Sequence, residues 1–167
     1  AQFSYHQENG SGHDHVGWLA EGPGDPRREL AERMLEATAG ARRIVTYSGF
    51  EKTRIKELAR LVPEYEAPLN ELVEKLVDLL PVVREHVYHP AFQGSFSIKY
   101  VLHPLCPDLT YDDLVASVEI ARLLFVAHKI PVEERARVRQ DLLDYCERDT
   151  WAMVRLLARL RELAVTP

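Results

Sequence analysis

Cysteine is scarce in this chain, with only Cys106 and Cys146 among 167 residues. Two cysteines exclude a disulfide framework, and both read as free thiols in a reducing cytoplasm. Long apolar runs are also missing. No stretch of about 18 such residues occurs, so no transmembrane helix is predicted. No basic segment leads into an apolar one in the manner of a secretory signal. Excess positive charge is absent too, the formal net charge being −5. That excludes a basic protein that coats nucleic acid nonspecifically. It leaves open a nuclease, whose site must be acidic to hold metal. There is no internal repeat, low-complexity tract or long linker.

The remaining composition is that of an ordinary globular domain, 46% hydrophobic and 28% charged. The length suits one domain, residues 1–167, able to bury a sizeable core. The chain opens on Ala1 rather than Met and runs at once into an alternating segment, Phe3–His6. This is the pattern of a strand interior, and the expectation is of a chain cut from something longer.

Strand signals mark Phe3–His6 and His13–Ala20, joined by the turn residues Glu8 to Gly12, which predicts a hairpin. Asp25 as N-cap with Pro26 at the first helical position predicts a helix ending near Gly40. Arg43–Tyr47 reads as a strand and Glu51–Val62 as a helix. A further helix spans about Ala67 to Val77. The run Leu76–Leu80 fits either a helix end or a short buried strand. Pro81–Val87 is a short helix or turn, and His89–Gly94 a loop. A short helix then ends before Pro104. Helices are expected over Tyr111–His128 and Val132–Leu163, the latter with a break near Leu143. A hairpin followed by alternating strand and helix suggests a mixed sheet covered by helices.

Two carboxylates stand out. Asp149 falls in the middle of the apolar stripe Leu142, Cys146, Met153, Leu156 and Leu160. A carboxylate on a buried face is costly unless it is paired, hydrogen-bonded or metal-bound. Tyr145 lies one turn before it. The plain alternative is an ion pair with Arg54, Arg122 or Arg155. Glu51 shares the apolar face of Ile55, Leu58, Ala59 and Val62 at the start of its helix. There an acid is also favoured by the exposed N–H groups and the helix dipole.

The histidines make a weaker pattern. His86 with His89, and His103 with Cys106, are each three apart, but neither pair stands in a zinc-site spacing with the other. His13 and His15 are expected in a surface turn. Ser95 and Ser97 lack any nucleophile-elbow context.

Tyr47-Ser48-Gly49-Phe50-Glu51 resembles the second motif of the DnaQ-like 3′–5′ exonuclease group, with Glu in place of the usual Asp. Tyr145-Cys146-Glu147-Arg148-Asp149 resembles the third motif of that group in its tyrosine form. Asp78, followed by Ser95–Lys99, is similar to the family's Asp and Ser-Leu-Lys helix start. More narrowly, the chain resembles the C-terminal part of the domain of unknown function 2779 family. That likeness runs through Phe50–Arg54, Val77–Pro81, His89-Pro90, Gly94–Lys99, Tyr145-Cys146 and Asp149-Thr150.

The resemblance implies an α/β, RNase H-like fold with a mixed sheet flanked by helices and a helix-rich C-terminal half. It implies a metal-dependent exonuclease acting on DNA or RNA phosphodiesters, with Mg²⁺ or Mn²⁺ held by carboxylates. Glu51 and Asp149 would be metal ligands and Asp78 an accessory acid. Tyr145 would orient the attacking water, and Lys52, Arg54 and Lys99 would meet phosphates. A RecB-like nuclease module often precedes such a domain. The first motif, Asp-x-Glu on a central strand, has no counterpart here. The expectation is therefore a gap between the hairpin and the Arg43–Tyr47 strand, with weak or absent metal binding and no activity by this chain alone. The competing expectation is a catalytically degenerate module that binds single-stranded nucleic acid or a protein partner.

Overall fold

The structure, a computed structural model, describes residues 1–109 and 130–165. Strands β1 (Gln2–Asn9) and β2 (Gly12–Leu19) form an antiparallel hairpin in register from Gln2 opposite Leu19 to Asn9 opposite Gly12. Asn9 builds the turn by accepting the Ser11 N–H at 3.0 Å through its side-chain oxygen. Because side chains alternate, Ser4 and His6 share one face with Gly17 and His15. Phe3 and Tyr5 point the other way, where Phe3 stacks on Trp18 with ring centroids 6.3 Å apart. His13 and His15 therefore belong to a strand rather than to a surface turn.

Helix α1 (Arg27–Thr38) starts one residue later than the Asp25-Pro26 pair predicts, with Pro26 as its N-cap. Asp25 still serves the helix start, because its carboxylate accepts the Arg27 N–H at 3.1 Å and pairs with the Arg27 guanidinium. Strand β3 (Ile44–Thr46), helix α2 (Phe50–Leu61), a 3₁₀ turn (Pro63–Tyr65), helix α3 (Glu66–Glu74) and strand β4 (Leu76–Asp78) follow. β3 and β4 run parallel, Ile44 opposite Leu76 and Thr46 opposite Asp78, so α2 and α3 make the crossover that parallel pairing requires. These helices bury Ile55, Leu58, Leu69, Leu72 and Val73 with Ala31 of α1. Each such aliphatic side chain is worth about 1.5–3 kcal/mol relative to exposure.

The ambiguous Leu76–Leu80 run resolves as strand to Asp78 and helix α4 (Leu79–His86) directly after it. The switch is at Asp78, whose carboxylate caps the new helix through the Leu80 N–H at 2.9 Å. A 3₁₀ turn (Pro90–Phe92) and helix α5 (Ile98–Leu105) come next. Pro104 lies inside the last turn of α5 rather than beyond it. So close to the helix end, its missing N–H removes one bond without breaking the turns before it. The expected Tyr111–His128 helix, Arg122 included, lies outside the described residues.

Helix α6 (Val132–Val165) is continuous through Leu143, where a break was expected. One face carries it through two cores. Val138 and Leu142 pack with Leu19 and Ile130, while Ala152, Leu156 and Leu160 pack with Val83, Phe92, Val101 and Leu102. Burial in both cores keeps the helix continuous across the interval.

Among the described residues the β-structure is two separate two-stranded sheets, β1–β2 and β3–β4, not one mixed sheet. No ladder among the described residues joins the hairpin to β3. Instead α6 spans both, touching the hairpin through Thr150 and sharing a core with Val45 and Tyr47 around β3. Beyond Asp78 the described residues form helices and no further strand. Among them, no helix is long and apolar enough to cross a membrane.

Candidate functional site

Parallel pairing sends the C-terminal ends of β3 and β4 to the same place. In parallel α/β units, that end is where loops gather functional groups. Here the β3 end continues into Tyr47, Ser48 and Glu51, and the β4 end is Asp78. Ser48 has a φ of 80°, uncommon for a residue with a side chain. That turn directs its N–H onto Asp78 Oδ1 at 2.7 Å. The same oxygen accepts Leu80 N–H, so Asp78 ties the β3–α2 turn to the start of α4.

Glu51 sits in the first turn of α2. Burial of its carboxyl pushes its pKa up, its own backbone N–H pulls it down, and the Asp78 carboxylate raises it further. The two acids therefore feel each other, although the Glu51 residue as a whole is exposed. Tyr47 completes the corner. Burial, followed by the Asp78 charge, raises its phenol to about 12 against a smaller opposing effect of Arg84. Its O–H donates to the Phe96 carbonyl at 2.6 Å.

Tyr145 and Asp149 are half-buried on α6. Asp149 is in line with Leu142 and Leu156, as its spacing predicts, but it does not share their complete burial. At that level α6 is leaving one core for the other and crosses the polar face of the hairpin. Cys146 and Met153 are half-buried as well. Of the arginines considered as partners for Asp149, Arg54 bonds Glu57 at 2.8 Å and Arg155 bonds Asp108 at 2.8 Å.

Lys52, Arg54 and Lys99 are all exposed. Arg54 is also engaged over the Phe50 ring, 5.2 Å from its centroid. The structure thus places Glu51 and Asp78 at the same strand end and leaves these cations at the surface. Among the described residues, no group of three or more His, Cys, Asp or Glu side chains could hold a metal ion. This includes the His86, His89, His103 and Cys106 set.

Sequence reasoning missed a second feature. His6 and His15 face each other across the hairpin with ring centroids 4.7 Å apart. His6 Nδ1 lies 2.9 Å from Thr150 Oγ1, and His15 Nε2 lies 2.9 Å from Ser4 Oγ. Trp151 packs against both His6 and His13. The strand-like alternation of His13 and His15 was the available signal. What it lacked was His6, which only the hairpin register supplies.

The fold and its corner define a small mixed α/β module with paired acids at the end of a parallel strand pair. The model of the family described as Domain of unknown function (DUF2779) matches residues 1–97, and the chain belongs to that family. The matched segment holds Tyr47, Glu51 and Asp78, while α6 lies beyond it. No curated protein and no solved structure matches the chain.

Proposed function

We propose that this module contributes part of a metal-dependent, 3′–5′ exonuclease-like site for DNA or RNA phosphodiesters, and that the chain does not cleave by itself. The observation that carries the reading is the placement of Glu51 and Asp78 at the shared C-terminal end of β3 and β4, with the β3–α2 turn that leads to Glu51 tied to Asp78 through the Ser48 N–H. Two acids placed at one such strand end, one of them with its pKa raised mainly by burial, are a common mark of a functional site. Tyr145 and Asp149 would meet that corner from α6. Their helix supports this by packing Ala152 and Leu156 into the core that Val45 and Tyr47 lean on. Lys52, Arg54 and Lys99 would meet the phosphates of a strand.

The described residues do not by themselves fit a Mg²⁺ or Mn²⁺ ion, since no three donors converge. Asp78 Oδ1 is already used by two backbone N–H groups. Further oxygen donors would have to come from elsewhere. The same observation favours a second reading, in which the module binds single-stranded nucleic acid or a protein partner without cutting.

Two measurements separate the readings. Thermal melts with and without Mn²⁺ detect an ion that binds only the folded state, because such an ion raises the midpoint. A rise that Glu51→Gln removes supports the exonuclease-like reading, and a rise that survives Glu51→Gln opposes it. Incubating the chain with single-stranded DNA or RNA and Mn²⁺ should release no nucleotide. Release abolished by Asp149→Ala would overturn the claim that the chain is inactive alone.

A further inference from the structure

The histidine face of the hairpin and one stripe of α6 line an open cleft of about 530 Å³. This is within the range of small-molecule sites. Its strand wall is His6, His13 and His15. Its helix wall is Asp144, Glu147, Arg148 and Trp151, which at spacings of three and four residues form one face of α6. Polar side chains on this stripe are not core residues. The core face of α6 is carried by Val138, Leu142, Ala152, Leu156 and Leu160.

Each wall offers a different chemistry. Trp151 keeps 36% of its surface exposed, although His6 and His13 both touch its ring. An indole partly open to a cleft is a platform for a flat aromatic ring. Arg148 supplies a planar cation suited to phosphate. The carboxylates of Asp144 and Glu147 accept hydrogen bonds from an exocyclic amine. Asp144 already takes one from Gln140 at 2.7 Å, and Glu147 approaches His15 Nδ1 at 3.6 Å, so both are oriented. A simple organic cation would explain the acids and the indole but would face Arg148. A free anion would explain Arg148 but would face the acids.

We propose that this cleft binds an unpaired nucleotide, with its base stacked on Trp151, an exocyclic amine meeting Asp144 or Glu147, and its phosphate meeting Arg148. The inference stands apart from the acidic corner, because it needs neither metal nor Glu51.

The test reads Trp151 fluorescence. Trp18 is the only other tryptophan, so the Trp18→Phe chain isolates the signal. The titration is done at pH 7.5 without metal. CMP and AMP should quench saturably and bind at least about fivefold tighter than UMP, which lacks the amine. His13→Ala should weaken quenching by CMP, and Arg148→Ala should weaken CMP more than cytidine. Far-UV circular dichroism would confirm that both variants fold. A short oligocytidylate binding tighter than CMP identifies the ligand as a single strand, and equal binding identifies a free nucleotide. The proposal is overturned if no nucleotide or oligonucleotide quenches saturably, if UMP matches CMP, or if inorganic phosphate alone reproduces the effect. Repeating the titration in Glu51→Gln should give the same curve, which keeps this result independent of the exonuclease-like reading.

Discussion

Asp78 Oδ1 accepts the backbone N–H of Ser48 at 2.7 Å across thirty residues of sequence. The same atom accepts Leu80 N–H at 2.9 Å. One carboxylate oxygen thus fixes two turns at the ends of the two parallel strands, and the acidic corner is built around it.

Replacing that group should therefore be costly. Asp78→Ala removes the one acceptor of both bonds and strands the Ser48 N–H in a part-buried site. The expected loss is about 1–3 kcal/mol of stability, read as a lower urea midpoint at unchanged slope. Asp78→Asn keeps an acceptor oxygen and should lose less. It also removes the charge that raises Glu51, so the Glu51 carboxyl should titrate lower in an NMR titration of that variant.

Glu51 itself should limit stability at neutral pH. Its folded pKa is raised, first by burial and then by Asp78. A carboxyl with a raised folded pKa binds its proton more tightly in the folded state. Its penalty is full above the folded pKa and vanishes as pH falls below the unfolded value. Glu51→Gln should accordingly raise the melting temperature at pH 7 and show little difference near pH 3.5. Equal shifts at both values would show that the carboxyl is not perturbed.

The hairpin seam should respond to acid in the opposite sense. Burial lowers the His6 pKa, the charges of His15 and His13 lower it further, and Glu147 opposes them. The unfolded state therefore binds a proton that the folded state resists. Stability is full above the ordinary imidazole value of about 6.5 and is lost as pH falls from there towards the lower folded value. His6→Gln should flatten the melting temperature between pH 7.5 and 5.5. Histidine ring signals in NMR would show His6 titrating at lower pH than an unperturbed imidazole.

Thr150 links α6 to the hairpin through Ser4 Oγ at 2.8 Å and His6 Nδ1 at 2.9 Å. Thr150→Val keeps the shape and removes both bonds. A cost of about 1–2 kcal/mol is expected by urea denaturation. Near-UV signal from Trp151 should change as well, because that residue packs on His6. Leu156→Ala, deep in the second core at 0% exposure, should cost more, about 2–5 kcal/mol.

At Ser48, where φ is 80°, substitution should instead stabilise. Ser48→Gly keeps the N–H that Asp78 holds and removes the steric penalty of the left-handed backbone. A gain of up to about 1 kcal/mol is expected by urea denaturation.

Much of the local structure was legible in the chain. Alternation over Phe3–His6 and His13–Ala20 announced the hairpin, and Glu51–Val62 marked α2 to within a residue. Asp149 was placed in line with Leu142 and Leu156, but its partial burial was not foreseen. Periodicity reports only which face a residue occupies, and the depth there depends on what α6 happens to cross. Asp78 was legible as an acid of interest. Its use as a cap depends on where β4 ends, and the Leu76–Leu80 run did not show that.

Periodicity and turn chemistry alone, then, determined the hairpin, the strand–helix alternation and the helical character of the described residues beyond Asp78, because these rest on contacts between near neighbours. Tertiary structure alone decided that the described strands form two separate pairs bridged by α6, that Asp78 reaches Ser48, and that His6 and His13 meet Trp151. Those relationships join residues tens of positions apart, and no local pattern encodes which distant backbone or ring will arrive.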